Sequence, residues 1–107
     1  MVKSKTEINK IVKKALNYLS KKIDIKSAFL FGSYVNGNPT EYSDIDLAVF
    51  SKLVSKLSFE EKIKLQTQAK LNSSMDLEIH FFPSSRIKDA RKTNFHGHII
   101  NTGKKVA

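Results

Sequence analysis

Cysteine is absent from this 107-residue chain, which excludes disulfide cross-links and a thiolate zinc site and leaves nothing that points to an oxidising compartment. No apolar run approaches the roughly 20 residues that a membrane-spanning helix requires. The opening stretch, MVKSKTEINK, lacks the apolar core of a secretion signal, so the expected location is the cytoplasm and no membrane partner is expected. There is no internal repeat, linker or low-complexity tract. Residues 1–107 are therefore expected to form one domain, large enough to bury about two-thirds of its unfolded-chain surface. Acidic residues are scarce, 10 against 19 Lys and Arg, for a formal charge of +9. That balance favours polyanionic partners such as a nucleoside triphosphate, a nucleic acid or an acidic protein. The lysines are scattered rather than interleaved with aromatics, which favours solvated helix faces over a nucleic-acid patch.

What the chain does have is concentrated between Phe29 and Phe50, FLFGSYVNGNPTEYSDIDLAVF. The run Ala28-Phe29-Leu30-Phe31 is short enough for a buried strand and is broken at once by Gly32-Ser33. Asn36-Gly37-Asn38-Pro39 marks tight turns. The chain returns as a second strand, Asp44-Ile45-Asp46-Leu47-Ala48-Val49-Phe50. Alternation sends Asp44 and Asp46 to one face and Ile45, Leu47 and Val49 to the other. Two carboxylates about 4 Å apart at an effective dielectric of ~20 repel by ~4 kcal/mol. Such a pair is kept cheaply only with a cation between its members, and a divalent metal is the usual one.

The remainder reads as scaffold. Ser4-Lys5-Thr6-Glu7 has capping-box form and opens an amphipathic helix to Lys22, with Ile8, Ile11, Val12, Ala15, Leu16 and Leu19 as its apolar stripe. Ser33 to Val35 is expected to start a short helix. Ser58-Phe59-Glu60-Glu61 is a second capping box, opening a helix to about Leu71 whose apolar pattern predicts only partial cover. Met75 to Phe82 alternates as a third strand, with Met75, Leu77, Ile79 and Phe81 on one face and Asp76, Glu78 and His80 on the other. Pro83 closes it. One or two helical pieces follow between Ser84 and Thr102, with Phe95, Ile99 and Thr102 on one side and Gly103 as a stop. Arg86, Lys88, Arg91 and Lys92 gather positive charge there. His96-Gly97-His98 has the look of a metal pair, but neighbouring helical residues face apart and no further Cys or His supports it. Lys104 to Ala107 could add an edge strand. The expected architecture is an α/β layer fold, a mixed sheet covered mainly on one side by helices.

Gly32-Ser33, ten intervening residues and Asp44-Ile45-Asp46, with Gly37, Ser43 and an apolar strand behind, resemble the signature of the nucleotidyltransferase superfamily that includes DNA polymerase β. The spacing is most similar to its minimal nucleotidyltransferase branch. The resemblance covers nearly the whole chain and implies the small nucleotidyltransferase fold. It also implies that Asp44 and Asp46 hold two Mg²⁺ ions and that Gly32 and Ser33 fix the phosphates of a nucleotide, ATP being the expected substrate. Ser33 would donate a hydroxyl without acting as nucleophile. The superfamily places a third carboxylate on a strand beside the pair, and Asp76-Leu77 matches the minimal branch; Glu78, two residues on and on the same face, is its rival. Tyr34, Tyr42 and Asn36 lie near enough in sequence to reach a nucleobase.

Larger relatives carry a second domain that reads the acceptor, for which this chain has no room, so a partner is expected to present it. The resemblance implies a HEPN-domain toxin as that partner, with AMP transferred to one of its tyrosines and this chain acting as antitoxin. Two other readings stay open: neutralisation of such a partner by binding alone, and a basic RNA-binding module. The oligomeric state is not legible.

Overall fold

The structure is a computed structural model of the 107-residue chain; it describes residues 2–40, 42–89, 91 and 94–107. Of the four-residue basic group expected after the third strand, Lys92 lies outside the described residues, as does the side chain of Asn36.

Four strands form one sheet in the order β3-β2-β1-β4. Strand β1 (Ser27–Phe31) runs antiparallel to β2 (Ile45–Ser51), with Phe31 opposite Asp46 and Phe29 opposite Ala48. Strand β3 (Leu77–Pro83) lies parallel to β2, pairing Asp46 with Glu78 and Ala48 with His80. A parallel neighbour requires a crossover. Here it is made by a 3-10 turn at Leu53–Lys56 and helix α3 (Phe59–Asn72). The two-residue β4 (Lys104–Lys105) closes the other edge against β1.

Helix α1 (Lys5–Ser20) and α3 pack on one face of the sheet. Both capping boxes form: Ser4 Oγ accepts from Glu7 N–H and Ser58 Oγ from Glu61 N–H, with each glutamate reaching back to its cap. Each reciprocal pair satisfies two otherwise orphaned donors at a helix start. Ile8, Val12, Ala15 and Leu19 of α1 are buried against Ala28, Leu30, Ile45, Leu47, Val49, Leu77 and Ile79. Helix α3 is half covered, as its pattern predicts; Ala69 is buried whereas Phe59 is 77% exposed. Its Gln66 carboxamide accepts from Ile79 N–H at 2.8 Å, capping part of the outer edge of β3.

The opposite face carries a smaller core of Phe29, Ala48, Phe50 and Ile99, covered by the 3-10 stretch Ser84–Asp89 and helix α4 (Phe95–Thr102). Two expectations are corrected. Met75 does not join the apolar face of β3 and is 63% exposed, because a turn closed by Leu77 N–H to Ser74 C=O precedes the ladder. On α4 the buried residues are His96, Gly97 and Ile99, while Phe95 is 54% exposed although its ring meets Phe31 and His80, and Thr102 faces out. The helix is rotated because His96 Nε2 bonds the Asp89 carbonyl at 2.9 Å and Gly97 lies so close to the Arg91 carbonyl that a Cβ would stand 1.8 Å from it. The short helix α2 (Ser33–Asn36) directly follows β1, as the sequence suggests.

One carboxylate latches the scaffold. Asp24, in the loop after α1, accepts from Ser51 Oγ at 2.8 Å and from the backbone N–H groups of Lys52 and Leu53, each at 2.9 Å. Burial would raise its pKa, but these donors outweigh it and bring the group down to about 2. The folded pKa lies below the ordinary one, so the latch is fully stabilising above about pH 4 and is lost as pH falls towards 2. Asp24→Ala should lower stability at pH 7 by about 1–2 kcal/mol, allowing for partial solvent screening. Urea unfolding of both proteins at pH 7 and again near pH 2 checks this: the gap should shrink in acid.

Candidate active site

The site sits at one end of the sheet, where the C-terminal end of β1 meets the N-terminal ends of β2 and β3. Register places it. Phe31 opposes Asp46, so the next residue of β1, Gly32, arrives beside the Asp46 carboxylate. Gly32 has φ +81° and caps α2, and a Cβ added there would fall 2.3 Å from Asp46 Oδ2. Both the left-handed backbone and the absent side chain are thus required at this position. The first N–H groups of a helix have no carbonyl behind them. Here Val35 N–H turns back to the Gly32 carbonyl at 3.0 Å, and Gly32 itself stands against Asp46.

Asp46 is half-buried and Asp44, one residue ahead of the β2 ladder, is exposed. A turn holds the approach to Asp44: Ser43 N–H donates to the Thr40 carbonyl at 3.1 Å and Thr40 N–H to Ser43 Oγ at 2.8 Å. Glu78 lies level with Asp46 across the parallel ladder, and Ile45 N–H donates to the Asp76 carbonyl at 2.8 Å, which brings Asp76 to the same end. The side chains then diverge. Asp76 is paired with the Lys3 ammonium, whereas Glu78 stands 3.9 Å from Lys70 Nζ. Asp46's pKa is raised, by burial first, and further by the negative charges of Asp44 and Glu78; the imidazole of His80 opposes the rise.

His80 was legible only as a polar position on β3, with no role attached. The parallel register carries it to the face shared by Asp46, where its Nε2 is 3.7 Å from Asp46 Oδ1. Its ring packs against Phe31 and Phe95, with centroids 5.2 and 6.0 Å away, and these two rings also meet each other at 5.8 Å. Alternation after Glu78 was the available signal, but strand pairing is needed to use it. Tyr34 is not turned to this face: its hydroxyl accepts from Lys3 N–H at 3.3 Å and its ring packs with the core under α1. Tyr42 is 87% exposed on the rim side of the turn. His96 is committed to Asp89 and does not approach the carboxylates in sequence partnership with His98.

Among the described residues no three acid or imidazole side chains converge closely enough to enclose a metal by themselves. That suits magnesium, which keeps several waters and is held by one or two carboxylates plus substrate phosphates. The oxygen-donor pair, its mutual repulsion and the space left by Gly32 beside Asp46 fit such an ion. A separate concavity of about 920 Å³ between α1 and β4, lined by Lys10, Lys13, Lys14, Lys104 and Lys105, lies away from the carboxylates.

A carboxylate pair at the head of one strand, set against a glycine turn that ends the next, defines a nucleotidyltransferase. The chain belongs to the polymerase beta nucleotidyltransferase family, whose profile matches residues 13–107. It is 38% identical over 71 residues to a candidate protein adenylyltransferase of Methanocaldococcus jannaschii, covering 58% of this chain and 71% of that one. Its fold is similar to a crystal structure of a toxin–antitoxin with AMP-PNP, with TM-score 0.61 and 23% identity over 89% of this chain and 71% of that one. It is also similar to a candidate nucleotidyltransferase from Sulfolobus solfataricus, with TM-score 0.53 and 14% identity over 83% and 84% of the two chains.

The raised pKa of Asp46 has a measurable consequence. Its charged form is disfavoured in the fold, so its contribution worsens as pH rises above the ordinary 3.8. Asp46→Asn should therefore raise the urea midpoint at pH 7 in metal-free buffer, and the gain should vanish at pH 3. Gly32→Ala should instead lower the unfolding free energy by about 1–3 kcal/mol, through strain at positive φ and the clash with Asp46.

Proposed function

We propose that this nucleotidyltransferase transfers AMP from ATP to a hydroxyl of a partner protein, a tyrosine of a HEPN-type toxin, and acts as its antitoxin. The observation that carries the transfer itself is the seating of the Gly32 turn against Asp46 with Asp44 alongside. The acceptor rests on other support: the name of the Methanocaldococcus jannaschii relative, a protein adenylyltransferase, and the likeness in fold to a toxin–antitoxin crystallised with AMP-PNP. The HEPN identity and the tyrosine rest on the resemblance to the minimal nucleotidyltransferase branch alone.

In this reading Asp44 and Asp46 would hold two magnesium ions and Asp76 would complete the acceptor side. When bound, the ions neutralise triphosphate charge and lower the pKa of the acceptor hydroxyl. Gly32 admits a phosphate close to the backbone, and Ser33 and the opening N–H groups of α2 donate to its oxygens. Asp76, freed from Lys3, accepts the acceptor's proton, and the α-phosphorus is attacked in line as pyrophosphate leaves.

Glu78 is a second reading for the third carboxylate, favoured by its register with Asp46 and its effect on that group. Asp76 and Glu78 lie about 6.5–7 Å apart along the strand, too far to serve one ion interchangeably. Asp76→Ala should leave ATP binding nearly intact and cut transfer by about 100-fold or more; Glu78→Ala should cost less than about tenfold. The reverse ranking assigns the role to Glu78.

The whole reading is tested with the partner that co-purifies from the native host. Wild type with ATP and Mg²⁺ should add AMP to that partner and release pyrophosphate, and Asp44→Asn/Asp46→Asn should do neither. If the double mutant still neutralises the partner fully, the chain works by binding alone. If it instead keeps a salt-sensitive affinity for RNA and no protein partner is modified, the nucleic-acid reading takes over.

A further inference from the structure

We infer that His80 is a metal ligand, so that the Asp46 site takes a transition-metal ion such as Mn²⁺ in preference to Mg²⁺. The inference rests on the reading of Asp44 and Asp46 as metal-holding carboxylates. The observation behind it is independent of that reading. His80 Nε2 is sealed from solvent and has no hydrogen-bond partner. A buried polar nitrogen left unpaired is uncommon and costs about 1–3 kcal/mol, so such an atom marks either a missing ligand or a missing contact.

Geometry favours a ligand. Nε2 stands 3.7 Å from Asp46 Oδ1, too far for a hydrogen bond. Two donors each about 2.1 Å from one ion are roughly 3.0 Å apart at right angles, about 3.4 Å at the tetrahedral angle and ~4.2 Å in line. The observed gap falls inside that range, so one ion fits between the two atoms without either element moving far. The ring is held for the task by Phe31 and Phe95, whose edge contacts fix its plane. The strands supply the rest: Asp46 and Glu78 are level on β2 and β3, and His80 lies two residues on, level with Ala48.

Nitrogen changes the choice of ion. Magnesium is a hard cation that selects oxygen and dehydrates reluctantly. Imidazole suits the first-row transition metals, with affinity rising from Mn²⁺ to Co²⁺ and beyond. A site shared by Asp46 and His80 would offer an ion one protein oxygen and one nitrogen, enough to separate these ions.

The test uses Mn²⁺ and Mg²⁺ as probes, on the full chain with AMP-PNP, by calorimetry and by pulsed electron paramagnetic resonance of bound Mn²⁺. Protein carrying ¹⁵N-histidine distinguishes the imidazole from the nitrogens of the nucleotide. Wild type should bind Mn²⁺ at least about tenfold more tightly than Mg²⁺ and show a directly coordinated histidine nitrogen. His80→Ala should lose that coupling and about tenfold in Mn²⁺ affinity while changing Mg²⁺ affinity less than about twofold. Should His80→Ala not fold, loss of the same coupling in Asp46→Asn supports the assignment, and its persistence there overturns it. Mn²⁺ bound through oxygen alone overturns this inference and leaves the carboxylate site standing. Failure of both ions to bind wild type overturns both.

Discussion

The approach of Gly32 to Asp46 is the constraint on which the site depends. A backbone at φ +81° and a carboxylate on the neighbouring strand occupy space that any side chain at residue 32 would take. The antiparallel register of β1 and β2 sets this contact, and the register is in turn fixed by burial. A slip of one residue would exchange Leu47 and Val49, now buried under α1 and α3, with Asp46 and Ala48 on the opposite face. The packing of the larger core thus enforces the placement of the acidic group, although none of its residues touches a ligand.

The two faces of the sheet divide the labour. Under α1 and α3 lies an aliphatic core, which supplies the fold's stability. The other face is aromatic and only partly covered: Phe29, Phe50 and Phe82 pack at one end while Phe31, His80 and Phe95 border the acidic end. Partial burial there raises Asp46's pKa, because desolvation penalises a carboxylate that has few donors around it. Asp24 shows the opposite solution. It is a carboxylate surrounded by donors, satisfied within the fold and with no need of an ion.

Features that depend on local periodicity were legible in the sequence. The capping boxes at Ser4 and Ser58, the alternation of β2 and β3 and the break at Gly32 all follow from spacing and turn chemistry. Features that depend on which strands pair were not. Lys3 meets Asp76 across 73 positions, and Asp24 holds Ser51 across 27. His80 meets Asp46 only because β3 lies parallel to β2 in one particular register. On α4 the periodicity was read correctly as helical and Ile99 is buried as expected, but His96 and Gly97 are buried beside it and Thr102 is not. The helix's rotation is set by a histidine bonded to a carbonyl and by a glycine packed on another, and apolar spacing reports neither.

The claim at the centre is that Gly32, Asp44 and Asp46 direct attack to the α-phosphorus of ATP. It is tested most directly by supplying two samples of ATP, one labelled at the α-phosphate and one at the γ-phosphate, to the chain and its co-purified partner. Nucleotidyl transfer predicts protein labelled by the α-phosphate alone, with the γ-label leaving in pyrophosphate. Label on protein from the γ-phosphate, or from neither, would contradict it.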